Sequence, residues 1–314
     1  MQVVLAQPRG FCAGVTRAIE IVERVLERHG APVYVFHEIV HNQWVVNDLR
    51  SRGAVFVDTL AHLPAGSQVV FSAHGVSAAV VAQAQHLGLH SVDATCPLVN
   101  KVHQQAQRFV RQGRTLLMIG HAGHEEVVGT MGQAGAPVHL VSQVGDVAAL
   151  NLPTGKPLAY VTQTTLSLDD TRDIIAALHA RYPDIVGPEV DDICYATQNR
   201  QVAVRALAAQ VDLVLVVGAR NSSNSNRLRE VAAHDGVPAH LVQDASDIRP
   251  EWLRAPALDT LRVGVTAGAS TPEVLVQEVV AALRQRHAGP VVQLAGVRED
   301  TRFRLPVQLA VPVV

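Results

Sequence analysis

Short apolar runs, each followed by a polar, glycine-bearing stretch and then by apolar residues at helical spacing, recur along the whole 314-residue chain. Val3-Val4-Leu5-Ala6 leads through Pro8-Arg9-Gly10-Phe11-Cys12-Ala13-Gly14 into a segment with Val15, Ala18, Ile19, Val22, Val25 and Leu26 on one face, ended by Gly30. Ser91-Val92-Asp93 passes likewise through Cys96 into a run opened by Pro97 and carried by Leu98, Val99, Val102, Ala106, Phe109 and Val110, with Gly113 closing it. Such spacing predicts amphipathic helices, and proline suits a first helical position whose N–H has no partner. A third copy places Cys194, within Asp191-Asp192-Ile193-Cys194-Tyr195-Ala196-Thr197, ahead of Val202, Ala203, Ala206 and Leu207.

The strand–loop–helix step returns twice more after each cysteine. Pro32–Phe36 runs into the loop of His41, and Val69–Ala73 into His74-Gly75-Val76-Ser77. Thr115–Ile119 runs into Gly120-His121-Ala122-Gly123-His124-Glu125-Glu126, and Leu158–Val161 into Thr162-Gln163-Thr164-Thr165. Leu213–Val217 leads to Asn221-Ser222-Ser223-Asn224-Ser225-Asn226, and Val263–Val265 to Ala267-Gly268-Ala269-Ser270. The cysteines stand 84 and 98 residues apart, each interval about the length of a small α/β unit. From each cysteine to the next loop is 28 or 29 residues.

Polar loops after parallel strands lie at the carboxyl ends of the sheet, where ligands bind. The pattern predicts an α/β fold of three small domains, pseudo-threefold in arrangement, with their loop ends facing one central site. The boundaries read as 1–95, 96–193 and 194–285, with 286–314, bearing Pro290, Pro306 and Pro312, as an extended tail. The cysteine intervals favour three units over the eight of a β/α barrel.

Apolar residues make up 48% and charged residues 17%, the balance of a well-buried globule. Lys and Arg number 26 against 28 Asp and Glu, which argues against nucleic-acid or membrane-surface binding driven by net charge. No apolar run reaches the length of a membrane span. The chain opens directly into a strand without a basic segment and signal-type apolar region, so a cytoplasmic location is expected. Three distant cysteines then point to metal binding or catalysis rather than to disulfides.

A thiol at a helix start faces unpaired backbone N–H groups and the positive end of the helix dipole, which favour the metal-binding thiolate. Three converging thiolates would hold an iron–sulfur cluster or a zinc ion; the plain alternative is three unrelated buried cysteines. Compact zinc sites pair cysteines two to four residues apart, and no such pair exists here. A cubane cluster normally takes four thiolates, so three leave one iron open to a substrate.

Ser222, Ser223, Asn224 and Ser270 are small neutral donors at helix starts, suited to phosphate or simply to capping. His41, His74 and His124 each follow a strand and together suggest a rim for an anion. Glu126, two residues beyond His124, is a candidate proton donor if buried. Glu20, Glu23, Arg24, Glu27 and Arg28 read as a solvated helix face.

Taken together, these motifs resemble the hydroxymethylbutenyl diphosphate reductases, the IspH/LytB family. The resemblance rests on Gly10-Phe11-Cys12-Ala13-Gly14, Glu38-Ile39-Val40-His41-Asn42, Asp93-Ala94-Thr95-Cys96-Pro97, Gly123-His124-Glu125-Glu126 with Gly129-Thr130-Met131-Gly132-Gln133, Thr162–Ser167, Cys194 with its flanks, Asn221–Arg227 and Thr266–Ser270. It covers nearly the whole chain. Glu125 is a departure, since many members have proline there, and it sets a second carboxylate beside the presumed acid.

The resemblance implies reductive removal of the allylic hydroxyl of hydroxymethylbutenyl diphosphate, giving isopentenyl and dimethylallyl diphosphate. It implies a 4Fe-4S cluster on Cys12, Cys96 and Cys194, with the fourth iron open to the substrate hydroxyl. Thr164 would orient that hydroxyl, Glu126 would feed protons, and His41, His74, His124, Ser222, Ser223, Asn224 and Ser270 would hold the diphosphate. A ferredoxin or flavodoxin would supply electrons. Two other readings use the same cysteines: an open-iron hydratase or dehydratase without net electron transfer, and a non-enzymatic iron–sulfur sensor or zinc module.

Overall fold

Every short apolar run singled out above forms a strand, and every strand pairing among the described residues is parallel. The structure, a computed structural model, describes residues 1–153, 155–189, 191–253 and 260–309. In chain order it contains β1 (Gln2–Leu5), α1 (Ala13–His29), β2 (Val33–Phe36), α2 (Gln43–Ser51), β3 (Ala54–Val57), β4 (Gln68–Phe71), α3 (Ala78–His86) and β5 (His90–Asp93). There follow α4 (Pro97–Arg111), β6 (Thr115–Ile119), α5 (Glu125–Gln133), β7 (Val138–Val141), α6 (Val144–Ala149), β8 (Leu158–Thr162) and α7 (Leu168–Arg181). The remainder comprises α8 (Tyr195–Ala208), β9 (Leu213–Val217), α9 (Ser223–His234), β10 (Ala239–Val242), β11 (Arg262–Ala267), α10 (Glu273–Arg286) and β12 (Val291–Gln293). None of these helices is long and apolar enough to cross a membrane.

The strands form three sheets with the orders β3-β2-β4-β5, β7-β6-β8 and β10-β9-β11-β1-β12. One arrangement recurs: the first strand lies in the middle, the second flanks it on one side, and the third and fourth follow on the other. Sheet two keeps a remnant of the fourth strand, a parallel bridge between Val186 and Ala159 of β8. Each cysteine therefore comes directly after a fourth strand, closing a repeat rather than opening one.

This departs from the division at 1–95, 96–193 and 194–285. The strand before Cys12, β1, pairs with β11 and β12, Val3 lying opposite both Val263 and Val291. Apolar periodicity marks a strand but carries no information on its partner, and parallel neighbours are joined by long crossovers. The stretch read as a tail likewise supplies α10's last residue and β12. Its final residues 310–314, with Pro312, lie outside the described residues.

By contact density the chain falls into two compact units. The first comprises Met1–Ala13, His41–Val45 and Tyr195–Thr301; the second comprises Gly14–Val40, Val46–Cys194 and the C-terminal stretch from Arg302.

The first unit is built on the five-stranded sheet. Side chains alternate along β9, Leu213, Leu215 and Val217 packing with Val276, Val279 and Leu283 of α10, and Val214 and Val216 with Val204 and Leu207 of α8 and Leu228 of α9. A strand covered on both faces has to be apolar at every position, which explains the unbroken run Leu-Val-Leu-Val-Val. The second unit repeats the device on β6. Leu117 and Ile119 face Ile174 and Leu178 of α7, while Leu116 and Met118 face Val102 and Phe109 of α4 and Val127 of α5. Phe36, Val69 and Phe71 form the core of the four-stranded sheet with Ala84 of α3.

Candidate active site

The three cysteines share one backbone environment. Cys12 N–H donates to Ala269 O at 3.2 Å, Cys96 N–H to Ala73 O at 2.9 Å and Cys194 N–H to Thr164 O at 3.1 Å. Ala73, Thr164 and Ala269 each sit in the loop after the third strand of their repeat. Each in turn donates its own N–H to the segment that follows the first strand: Ala73 to Ile39 O in the loop, Thr164 to Glu126 Oε1 and Ala269 to Asn224 Oδ1 in the first turn of the next helix. One hydrogen-bonded relay thus ties first loop, third loop and cysteine together in every repeat. Each cysteine also immediately precedes a helix, α1, α4 or α8.

Within the first unit this relay gathers Cys12, His41, Ser222, Ser223, Asn224 and Ser270. Ser270 Oγ donates to His41 O at 2.9 Å, beside the Ala269 that meets both Cys12 and Asn224. His41 Nδ1 lies 3.4 Å from Asn221 Nδ2. Ser222 is the N-cap of α9, its oxygen accepting from Ser225 N, and Ser223 begins the helix. The side chain of Asn224 is buried, with Nδ2 donating to Thr197 Oγ1 at 3.3 Å. These residues do serve as caps and braces, and they do so around a helix start, where backbone N–H groups attract anions.

The second unit assembles His74, Cys96, His124, Glu126, Thr164 and Cys194. Both oxygens of Glu126 are held by Thr164, Oε1 by its N–H at 2.6 Å and Oε2 by its hydroxyl at 3.0 Å. Only 2% of Glu126 is exposed. Burial, opposed by those two hydrogen bonds and reinforced by the charge of Asp192, pushes its pKa up to about 7. Glu126 N–H donates to His124 Nδ1 at 3.2 Å, which leaves the proton of a neutral His124 on Nε2. The rings of His74 and His124 meet edge to face, 5.9 Å between centroids. His74 adjoins the Ala73 that receives the Cys96 N–H.

The two neighbouring carboxylates are separated by this geometry. Glu125, partly exposed, places Oε2 2.7 Å from His74 Nδ1, while Glu126 turns inward to Thr164.

Several contributors escaped the sequence reading. Arg17 Nη1 donates to Thr95 O at 3.1 Å, just ahead of Cys96, and burial lowers its pKa against the opposing pull of Asp93 and Cys96. Its place on the face of α1 carries no periodic signal. Asp192 accepts the Thr162 N–H at 3.0 Å and sits 3.8 Å from Lys101; burial raises its pKa to about 6. Gln163 is fully buried, bracing His121 N and Thr165 Oγ1. His103 is driven down to about 4 by burial, which keeps it neutral. An acid pair two residues before a cysteine and a glutamine inside a threonine run were the available signals.

What the arrangement offers is a carboxylic acid that holds its proton near neutrality, a hydroxyl fixed against it, and three thiols at equivalent helix starts. Comparison with known proteins finds relatives that match this chain over nearly its whole length. A family model described as LytB protein matches residues 3–284. The chain is 59% identical over 310 residues to the 4-hydroxy-3-methylbut-2-enyl diphosphate reductase 2 of Bradyrhizobium diazoefficiens, covering 99% of each. It is 57% identical to the 4-hydroxy-3-methylbut-2-enyl diphosphate reductase of Zymomonas mobilis, over 98% of this chain and 89% of that one. Among solved structures, the E-1-hydroxy-2-methyl-but-2-enyl-4-diphosphate reductase from Plasmodium falciparum superposes with a TM-score of 0.93 at 38% identity, over 98% of this chain and 96% of that one. A second, the (E)-4-hydroxy-3-methyl-but-2-enyl diphosphate reductase described as the terminal enzyme of the non-mevalonate pathway, gives 0.64 at 28% identity, over 90% and 99%. With the family match running through all three repeats and relatives this close along their full length, the chain belongs to the LytB protein family.

Proposed function

We propose that this chain reduces 4-hydroxy-3-methylbut-2-enyl diphosphate, the activity that its relatives' names carry. The allylic C–O bond breaks, a C–H bond forms, and two electrons and two protons leave one water with isopentenyl or dimethylallyl diphosphate. Hydroxide is a poor leaving group, so the oxygen needs a proton as the bond breaks. Glu126 carries this reading: buried, with a pKa near 7, it retains a transferable proton at neutral pH and rests directly on the Thr164 hydroxyl.

Thr164 is the orienting group. Its Oγ1 lies 3.0 Å from Glu126 Oε2; when the acid carries its proton on Oε2 it donates to Oγ1, the threonine hydroxyl turns its own hydrogen to the substrate oxygen, and a proton has a two-bond path outward from the acid. His41, His74, His124, Ser222, Ser223, Asn224 and Ser270 would bind the diphosphate through side-chain donors and the N-terminus of α9. That leaves Glu126 as the acid that the anion does not occupy.

The donor set fits an iron–sulfur cluster. Cys12, Cys96 and Cys194 form no disulfide, are partly exposed, and have matching backbone N–H bonds that fix them at helix starts. When bound, a 4Fe-4S cluster on three thiolates supplies the electrons and, at its open iron, a Lewis acid. Ferredoxin or flavodoxin fits as electron donor, and a cytoplasmic location goes with that partner.

The test is anaerobic turnover of the allylic diphosphate with and without a low-potential reductant. Product that appears only with reductant, and only in protein with stoichiometric iron and sulfide, is the expected result. Turnover without reductant would instead identify a dehydratase, and a colourless protein holding one zinc would overturn the cluster.

A further inference from the structure

The stretch after α10 is not a passive tail. β12 pairs with β1, Val291, Val292 and Gln293 lying opposite Val3, Val4 and Leu5. Leu294 N–H continues the ladder to Leu5 O at 2.9 Å, and Gly296 passes so close to Gln7 O that a Cβ there would sit 1.9 Å from it. The stretch thus follows the chain from β1 toward the Cys12 loop.

Beyond Gly296 it closes on a buried cation. Arg200 of α8 has no exposed surface. Its Nη1 and Nη2 meet the two carboxylate oxygens of Glu299 at 3.0 and 3.1 Å. The same guanidinium donates through Nε and Nη2 to Gly10 O at 3.1 and 2.7 Å, through Nη2 to Phe11 O at 3.3 Å, and through Nη1 to Ala196 O at 2.9 Å. Gly10 adopts φ +70°, a left-handed turn that presents its carbonyl to the cation. On the far side of Cys12, Ala13 N–H reaches the Tyr195 hydroxyl at 3.4 Å, and that hydroxyl also bonds the Thr301 side chain. Asn199 adds a bond to Glu299 Oε1 at 3.0 Å. The first turns of α8 therefore grip Cys12 from both sides, and Glu299 and Thr301 hold that grip in place.

We infer that residues 291–301 form a strap that fixes the loop of Cys12, with Arg200 and Glu299 as its positioning residues. A guanidinium taken fully out of water needs a carboxylate, and here Glu299 provides it. Releasing it frees the cation from Gly10 and Phe11, and the cysteine loses its fixed place. The functional consequence rests on Cys12 being a metal ligand; the strap itself does not.

The experiment uses the full chain, metal-free and reduced, and follows alkylation of Cys12, Cys96 and Cys194 separately by peptide mass spectrometry. In Glu299→Gln and in the more disruptive Arg200→Lys, the Cys12 rate should rise by about tenfold or more, the factor typical of losing a hydrogen bond to a charged group. Cys96 and Cys194 should keep their wild-type rates, and the melting transition should remain cooperative. An unchanged Cys12 rate in Glu299→Gln, or an equal rise at all three cysteines, would overturn the strap. Iron retained after anaerobic reconstitution should fall in the same variants. If the wild type takes up no iron at all, the ligand role of Cys12 fails while the alkylation result still decides the strap.

Discussion

Thr164 grips the carboxylate of Glu126, 38 residues away, with both its backbone N–H and its hydroxyl, at 2.6 and 3.0 Å. The backbone bond belongs to the relay present in every repeat, where Ile39 O and Asn224 Oδ1 take the corresponding N–H. The hydroxyl bond belongs to this repeat alone, since Ala73 and Ala269 stand at the positions matching Thr164. One third of a repeated scaffold has therefore acquired an acid and a hydroxyl where the others keep neutral braces.

The raised pKa of Glu126 fixes a pH dependence of stability. Its folded value of about 7 lies above the ordinary 4.5, so the folded chain binds more protons than the unfolded one between those values. The associated stability is fully present below pH 4.5 and lost as pH rises through 7, on the order of 3 kcal/mol in total. Glu126→Gln keeps the bonds to Thr164 without an ionising group. Thermal unfolding from pH 4.5 to 8 should show the variant gaining on the wild type until about pH 7 and holding level above it. A constant difference across that range would show that Glu126 is not perturbed.

Turnover should separate the adjacent carboxylates. Glu126→Gln should bind substrate and keep the cluster yet lose about 10²–10⁴-fold or more in rate, the usual worth of general acid catalysis. Glu125→Gln should keep most of its rate, because Glu125 faces His74 rather than Thr164. Steady-state assays with an artificial reductant decide it; the opposite ranking would move the proton donor to Glu125.

Serine at any one of the three cysteines should abolish the visible cluster absorption and activity together. The equivalence of their backbone bonds predicts that the three variants behave alike. Iron and sulfide analysis after anaerobic reconstitution is the measurement, and a variant retaining a full cluster would remove that cysteine from the ligand set.

How far the sequence discloses this fold depends on burial. β2, β4, β6, β8, β9 and β11 stand out because strands covered by helices on both faces are apolar without a break. β3, β7 and β10, each next to the first strand of its sheet, do not: Val138, His139 and Leu140 are only half-buried, and Val55 is exposed. β12 is exposed throughout and leaves no apolar signature. The cysteine spacing reveals the threefold repeat, but the pairing of β1 with β11 is a long-range event without a local trace. Among site residues, the glycine- and polar-rich loops mark His124, Glu126, Thr164 and Ser222 to Asn224. Arg200 and Glu299 escape notice because a buried ion pair 99 residues apart looks, in sequence, like two surface charges.

Diphosphate binding offers the sharpest test of the first unit, because Ser222 has two roles there. Its oxygen caps α9 by accepting from Ser225 N, and it accepts from the Ser225 hydroxyl at 3.0 Å as well. Ser222→Ala should therefore cost about 1 kcal/mol of stability through the lost cap, along with affinity for the anion. Glycine at an N-cap costs only a few tenths of that scale while still removing the hydroxyl. Ser222→Gly should thus melt close to the wild type yet bind substrate and inorganic diphosphate roughly ten- to hundredfold more weakly, the worth of one hydrogen bond to a charged group. His41→Ala should weaken both ligands similarly without disturbing Ser270, which bonds the backbone oxygen of His41 rather than its ring. Calorimetric titration with inorganic diphosphate reads each loss without requiring turnover. If Ser222→Gly and His41→Ala both bind it as tightly as the wild type, these loops serve only as caps and the diphosphate is held elsewhere.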